Sequence, residues 1–209
     1  MKKIKINLKG LLMFTFISLC LVSSCKLEED TYQDRMSKCF DAAEKIEIDI
    51  EGKKGFGILG NSEPSCILGV PLPEFEVSDM GSNLIRTKDL KGKVNVINFW
   101  FKGCAPCVAE IPNLNTLVVK YKNKEVNFLA VSKDSTNEIV SFLKKHPFDF
   151  TIIPNGNDLF RKKFQLMWGY PFTIITDKKN IIIGAISTKK DSSDYVINQI
   201  KSILAGQGL

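Results

Sequence analysis

Two cysteines, Cys104 and Cys107, follow an apolar run at residues 94–101, and this segment constrains the fold more than any other. A run of that length, with apolar side chains on both faces, is typical of a strand in the middle of a sheet. Pro106 stands where a helix can begin, because the first turn of a helix loses nothing to proline's missing N–H. The segment therefore predicts a buried strand that leads into a helix, with the cysteine pair at the junction.

Strand-like and helix-like segments alternate through the rest of the chain, which predicts an α/β domain. Short apolar runs bounded by turn residues mark the strands, and apolar residues at helical spacing mark the helices. The last two strands are separated by a turn at residues 177–180, which predicts a hairpin. We expect strands at residues 75–77, 84–85, 94–101, 126–131, 150–153, 172–176 and 181–186, and helices from residue 105, over 135–146, over 157–164 and over 191–205.

The start of the chain has the layout of a secretory signal and is excluded from the fold. Its apolar stretch, over 11–22, is shorter than a typical membrane span, and an N-terminal membrane anchor is the alternative. The stretch ends in Leu21-Val22-Ser23-Ser24-Cys25, which resembles the lipobox of bacterial lipoproteins. That resemblance implies a lipid anchor on Cys25, whereas ordinary cleavage would leave a free cysteine. Four lysines precede the apolar stretch: Lys2, Lys3, Lys5 and Lys9.

Most of the net positive charge belongs to this N-terminal segment. The whole chain has 29 basic and 23 acidic residues, for a net charge of +6. Residues 1–24 hold four lysines and no acidic residue, so the remainder has 25 basic residues against 23 acidic ones and a net charge of +2. A balance so close to neutral gives no basis for a nucleic-acid partner.

The chain has six cysteines, a number that suits an oxidising compartment. Two of them lie within the signal or at its end, and two form the close pair. The other two, Cys39 and Cys66, either form a structural disulfide with each other or remain separate thiols. Both interpretations stay open, because connectivity cannot be deduced from spacing.

The chain after the signal divides into two parts. Residues 25–64 are expected to hold a polar tether, over 26–38, and a small β unit. In that unit residues 46–50 alternate between apolar and polar side chains, and residues 56–59 can return as a second strand after a turn. The main domain is expected over residues 65–209.

The close pair of cysteines can cycle between a dithiol and a disulfide. At a helix N-terminus the orphan N–H groups and the helix dipole favour the thiolate of Cys104. We expect Cys104 to be exposed and to attack as the nucleophile. Cys107, one turn inside the helix, is expected to be shielded and to resolve the mixed disulfide.

The segment over 98–112 resembles the thioredoxin superfamily, and within it the membrane-anchored TlpA/ResA branch of thiol-disulfide oxidoreductases. The resemblance covers roughly residues 66–205. It implies a thioredoxin-like fold, a central mixed sheet flanked by helices, here with a small N-terminal β extension. The features that carry it are Phe99-Trp100 before the pair, Glu110 and Pro112 after it, a segment over 68–75 that opens the domain, and a cis-proline strand over 169–177.

The same resemblance implies roles for particular residues around the redox pair. Asn98 stands where thioredoxin has a buried aspartate that manages protons, and an amide cannot titrate. The TlpA-like branch instead places a carboxylate at the position of Glu110, which would take the proton of the inner thiol. Alternatively, Glu110 is a solvated residue of the first helical turn. Pro171 would be cis and lie against the disulfide, while Gly103 replaces the family's usual tryptophan before the pair.

The function that this resemblance implies is an extracytoplasmic thiol-disulfide oxidoreductase that uses no cofactor and no metal. Pro106 between the cysteines is thioredoxin-like and favours a reductase of protein disulfides. Such an enzyme would be lipid-anchored in the cell envelope, on the inner or outer membrane and facing the periplasm or the surface. It would receive electrons from a membrane thiol transporter of the DsbD/CcdA type. Its clients would be cysteine-containing proteins, with apocytochrome c in cytochrome c biogenesis as one example.

Three other classes of protein compete with this interpretation. A zinc site would need more ligands than the pair and the single His146 provide. A peroxiredoxin-like thiol peroxidase would have a threonine at the position of Phe101. A lipid-anchored binding or chaperone module with a structural cysteine pair also stays open, although closing so short a loop contributes little stability.

Overall fold

The structure, a computed structural model, describes residues 30–50, 53–59, 63–187 and 193–209. The predicted secretory signal and the lipobox therefore lie outside the described residues. Within the described ranges no helix is long and apolar enough to cross a membrane.

One helix and two short hairpins precede the main sheet. Helix α1 (Tyr32–Ala42) is followed by β1 (Glu44–Ile50) and β2 (Lys53–Leu59), which pair antiparallel and confirm the predicted N-terminal β unit. Strands β3 (Glu76–Ser78) and β4 (Leu84–Arg86) form the second antiparallel pair, close to the predicted positions.

The central sheet has five strands: β5 (Val94–Trp100), β6 (Val126–Ser132), β7 (Thr151–Ile153), β8 (Phe172–Thr176) and β9 (Ile182–Ser187). Their order is β7-β6-β5-β8-β9. β5, β6 and β7 are parallel to one another, whereas β8 runs antiparallel to β5 and forms a hairpin with β9. This arrangement confirms the predicted mixed sheet.

The remaining helices follow the predicted order along the chain. They are α2 (Ala105–Lys120), α3 (Thr136–Leu143) and α4 (Ser193–Gly206), with short 3-10 turns at Pro64–Ile67 and Thr87–Leu90 and a π-helical turn at Leu159–Lys163. The short helix expected over 157–164 is thus present, but its hydrogen bonds join residues five positions apart, where those of an α-helix join residues four apart.

Strand β5 is buried along its whole length, and its side chains alternate between two cores. Val96 and Trp100 pack with apolar residues of α2 and α4 on one face of the sheet. Ile97 and Phe99 pack with α1 and the π-helical turn on the other. Because helices cover both faces, the apolar run that ends at the cysteine pair is a middle strand, as predicted.

Helix α1 corrects the prediction of a polar tether over residues 26–38 from Tyr32 onward, whereas residues 26–29 lie outside the described residues. Tyr32, Met36 and Cys39 recur at helical spacing and are buried against the main domain, while Asp34 and Lys38 are exposed. The phenol of Tyr32 donates a hydrogen bond of 2.8 Å to the carbonyl of Phe164. The segment is polar in overall composition, but its narrow apolar stripe packs the helix against the main domain.

A disulfide joins Cys39 of α1 to Cys66, which is the pairing that the sequence left open. Beside it the Nη1 of Arg35 donates to the carbonyls of Cys66 and Leu68, at 3.2 and 3.1 Å. Helix α1 is therefore attached to the main domain by a covalent bond as well as by side-chain hydrogen bonds.

Candidate active site

The cysteine pair lies at the junction between β5 and α2. Cys104 is the N-cap of α2, and its N–H donates to the carbonyl of Phe101 at 3.0 Å, which closes the turn after β5. Cys104 and Cys107 are joined in a disulfide, and their Cα atoms are 5.2 Å apart. The backbone N–H of Cys107 also donates to the Cys104 sulfur, at 3.3 Å. The helix start thus directs a hydrogen-bond donor at the sulfur that we expected to be the nucleophile.

The exposure of the two sulfurs differs from the prediction. Cys104 was expected to be exposed, but only 6% of its surface is accessible, against 2% for Cys107. Cys104 is more accessible than Cys107, as predicted, but the prediction that Cys104 is exposed is wrong for the disulfide form.

Glu110 lies on the same side of α2 as Cys107, because residues three positions apart share a helix face. Its side chain is only 2% exposed. The alternative in which Glu110 is a solvated residue of the first turn is therefore wrong. The buried side of α2 is formed by Cys107, Glu110, Ile111, Leu114 and Leu117. The carboxyl group of Glu110 and the sulfur of Cys107 thus both belong to the buried side of the helix.

The peptide bond between Tyr170 and Pro171 is cis, as the resemblance implied, and Pro171 is buried. The register between β5 and β8 pairs Phe99 with Phe172, so Pro171 stands at the end of the sheet where β5 leads into the cysteine pair. One step further into the sheet, the side-chain amide of Asn98 donates to the hydroxyl of Thr173 at 3.0 Å. The hydrogen bond connects the strand that carries the cysteines with the strand that carries the proline.

Two aromatic rings and a lysine form a rim at this end of the sheet. The rings of Phe101 and Tyr170 meet edge to face, with centroids 5.4 Å apart. The Nζ of Lys133 lies 3.7 Å from the Phe101 centroid and 5.8 Å from the Tyr170 centroid. Burial raises the pKa of Tyr170, so its phenol stays neutral. We call Phe101, Lys133 and Tyr170 the cation-aromatic rim; Lys133 was not among the site residues predicted from the sequence.

Lys102, which precedes the pair, is attached to the start of α3. Its N–H donates to Asp134 at 2.6 Å, and its Nζ forms an ion pair with Glu138, also at 2.6 Å. Glu138 in turn accepts hydrogen bonds from the N–H and the hydroxyl of Ser135, at 2.9 and 2.7 Å. The Lys102 hydrogen bond, followed by those of Ser135, lowers the pKa of Glu138 from its ordinary 4.5 to about 2.

His146 is the single histidine of the chain and was considered above as a metal ligand. His146 follows α3, and its ring stacks on Phe142 with centroids 4.6 Å apart. Among the residues that the structure describes, there is no group of three or more His, Cys, Asp or Glu side chains that could hold a metal ion.

Comparisons with known proteins agree with this geometry. The model of the AhpC/TSA family matches residues 68–185. Two ResA thiol-disulfide oxidoreductases from Bacillus cereus strains are similar: one is 31% identical over 65% of this chain and 80% of its own length, the other 40% identical over 62% and 76%. A crystal structure from Chlorobium tepidum, of a protein assigned as the thiol:disulfide interchange protein DsbE, superposes with a TM-score of 0.58 at 24% identity, over 66% of this chain and 97% of that one.

The family model spans more than half of the chain, and the ResA relatives are matched over most of their length. The solved structure supports the fold. Together with a cysteine pair at a helix start and a cis proline at the same end of the sheet, these matches assign the chain to a family: it belongs to the AhpC/TSA family of the thioredoxin superfamily and is a ResA-like thiol-disulfide oxidoreductase.

Proposed function

We propose that the protein is an extracytoplasmic reductase of protein disulfides, with Cys104 and Cys107 as its redox pair. The observation that carries the proposal is the disulfide at the start of α2, where the Cys107 N–H already donates to the Cys104 sulfur. A donor at that place stabilises a thiolate on Cys104 in the reduced protein, and the thiolate is the species that attacks disulfides.

The reaction transfers two electrons from the cysteine pair to the client. The Cys104 thiolate attacks one sulfur of the client disulfide, forms a mixed disulfide and releases the first client thiolate. Cys107 then loses its proton, attacks the Cys104 sulfur and releases the second client thiolate. The client is reduced to two thiols, and the enzyme is left with the Cys104–Cys107 disulfide. A membrane dithiol donor, of the DsbD/CcdA type, would return the two electrons.

Two further residues have proposed roles in this cycle. Glu110, buried on the Cys107 side of α2, accepts the proton of the Cys107 thiol when it resolves the mixed disulfide. Pro171 lies at the end of the sheet where the cysteines are, and the backbone next to it can pair with an extended client segment as an added strand.

We also propose that the enzyme is held in the cell envelope by a lipid on Cys25. The support is the sequence Leu21-Val22-Ser23-Ser24-Cys25 after the predicted signal. Chains bearing two or more acyl groups are anchored firmly. Labelled palmitate should enter the wild-type protein but not Cys25→Ala, and label that persists in the variant contradicts the anchor.

The redox assignment is tested by trapping the mixed disulfide. With a peptide that contains one disulfide, reduced Cys107→Ser should accumulate an adduct linked through Cys104, whereas Cys104→Ser should accumulate none. An adduct formed by Cys104→Ser would reverse the two roles. A measured reduction potential near the thioredoxin value of about −270 mV supports a reductase, and a value near the about −120 mV of strong oxidants contradicts it.

A further inference from the structure

The cation-aromatic rim lies directly beside the cysteine pair and the cis proline. The carbonyl of Phe101 accepts the N–H of Cys104, and Tyr170 forms the cis peptide bond with Pro171. The rim residues Phe101 and Tyr170 therefore stand directly beside the two segments that a client must approach. Lys133 follows the end of β6, where Ser132 pairs with Trp100 of β5, and this register brings the lysine over the Phe101 ring.

The rim holds a positive charge in a defined place. A lysine ammonium within about 6 Å of an aromatic centroid is attracted to the face of the ring. Lys133 is exposed to solvent, and it forms no ion pair with any residue in the ranges 30–43, 63–187 and 194–209, where side chains are described. Its charge is therefore positioned by the rings and still available to a ligand.

Two neighbouring charged side chains that the structure describes have partners of their own. Lys102 is neutralised by Glu138 at 2.6 Å. Asp134 accepts the N–H of Lys102 at 2.6 Å and the hydroxyl of Ser132 at 2.9 Å. Lys133, by contrast, has its ammonium over the Phe101 ring, so its positive charge lies beside the two rings.

The absence of a side chain at Gly103 leaves the approach to the rim open. A Cβ at this exposed position would lie 3.5 Å from the Phe101 ring, in ordinary contact, so a larger side chain would extend over that ring. With glycine there, a client residue beside the reacting cysteine can reach the edge of Phe101 and the ammonium of Lys133.

We propose that the cation-aromatic rim selects client proteins with an acidic side chain next to the reacting cysteine. The carboxylate of the client pairs with Lys133, while the apolar part of its side chain lies against Phe101 and Tyr170. This inference rests on the proposed function, because it concerns clients of the Cys104–Cys107 pair. It makes Lys133 a specificity-determining residue that takes no part in the electron transfer.

The test uses two peptides, each with one disulfide, that carry either glutamate or glutamine next to both cysteines. The reduced full-length protein should reduce the glutamate peptide about three- to fivefold faster than the glutamine peptide at low salt, the range expected for one exposed ion pair. High salt should diminish the ratio, because exposed charges are screened. Lys133→Met should bring the ratio to about one and Lys133→Glu should invert it, whereas Lys122→Met, at an exposed lysine away from the site, should leave it unchanged.

Each outcome separates the two proposals. A wild-type protein that reduces both peptides at equal rates overturns the specificity of the rim but keeps the reductase. A preference for glutamate that survives in Lys133→Met also overturns it. A wild-type protein that reduces neither peptide contradicts the reductase itself. Because loss of structure can remove a preference but cannot invert it, the inverted ratio of Lys133→Glu distinguishes the expected result from partial misfolding.

Discussion

At the scale of single residues, a buried carboxyl and a buried thiol share one side of α2. Glu110 and Cys107 are each 2% exposed and one helical turn apart. In such a place a negative charge on either group disfavours a negative charge on the other. We propose that Cys107 therefore keeps its proton until the mixed disulfide has formed, and that Glu110 then receives it.

Glu110→Gln should separate these two effects. Without the carboxylate, the alkylation of Cys107 in a Cys104→Ser background should shift to lower pH by about one unit, because the thiolate no longer faces a negative charge. Reduction of a peptide disulfide by Glu110→Gln with both cysteines present should nevertheless slow by about 100-fold, since the proton acceptor is lost.

The control for this experiment is Glu125→Gln, at an exposed glutamate beyond the end of α2. It should leave both the alkylation profile and the turnover rate at their wild-type values. An alkylation profile that is the same in Glu110→Gln and in the wild type would refute the role of Glu110.

At the scale of elements, the start of α3 stabilises the segment that leads into the cysteine pair. Glu138 closes a capping box with Ser135 and also holds Lys102, so one carboxylate connects α3 to the residue that precedes Gly103. These contacts lower the pKa of Glu138 to about 2, with the Lys102 hydrogen bond as the largest cause.

The depressed pKa of Glu138 predicts the pH dependence of stability. A carboxyl whose pKa is lower in the folded state stabilises the protein above its unfolded value, here 4.5, and this contribution is lost as the pH falls towards 2. The urea midpoint of Glu138→Gln should therefore lie below that of the wild type at pH 6 and approach it near pH 2. Glu74→Gln, at an exposed glutamate, should follow the wild type throughout. A difference between Glu138→Gln and the wild type that is unchanged at pH 2 would contradict the linkage.

The elements that the sequence predicts correctly are those that local patterns determine. Strand β5, helix α2 and the β8–β9 hairpin follow from apolar periodicity and turn residues. Helix α1 was missed although its signals were present: Thr31 and Asp34 form a reciprocal cap, and its buried residues recur at helical spacing. The prediction of a tether followed the charged composition of residues 26–38 and so overlooked this apolar stripe.

The features of the site that escaped prediction depend on contacts between distant segments. Lys133 meets Phe101 only because β6 pairs in register with β5, and no local pattern encodes that pairing. Cys104 is likewise buried, although it stands at the start of a helix, because it belongs to the core on the α2 side of the sheet. The local motif thus identified the cysteine pair, while the contacts of the rim around it are a product of the tertiary fold.

At the scale of the whole molecule, β5 contributes side chains to two hydrophobic cores, one on each face of the sheet. The core on the α2 side contains the redox cysteines, and the core on the other side contains α1 with its disulfide to Cys66. The two disulfides therefore lie on opposite faces of the sheet. This separation predicts that the Cys39–Cys66 bond supports stability and takes no part in the electron transfer.

The double variant Cys39→Ala/Cys66→Ala tests this separation. The bond closes a loop with a sequence separation of 27, and its removal should lower the free energy of unfolding by about 3 kcal/mol through the greater entropy of the unfolded chain. Turnover by the Cys104–Cys107 pair in the absence of denaturant should stay within about twofold of the wild type, because the Cys39–Cys66 bond lies on the opposite face of the sheet from that pair.

Tyr32→Phe is the matched control variant. It loses the hydrogen bond to Phe164 but keeps the disulfide, and it should lower the free energy of unfolding by about 1 kcal/mol. Urea unfolding and peptide-disulfide reduction measure the two effects separately. A double variant as stable as the wild type would contradict the structural role, and one that folds but has lost turnover would place the second disulfide in the redox cycle.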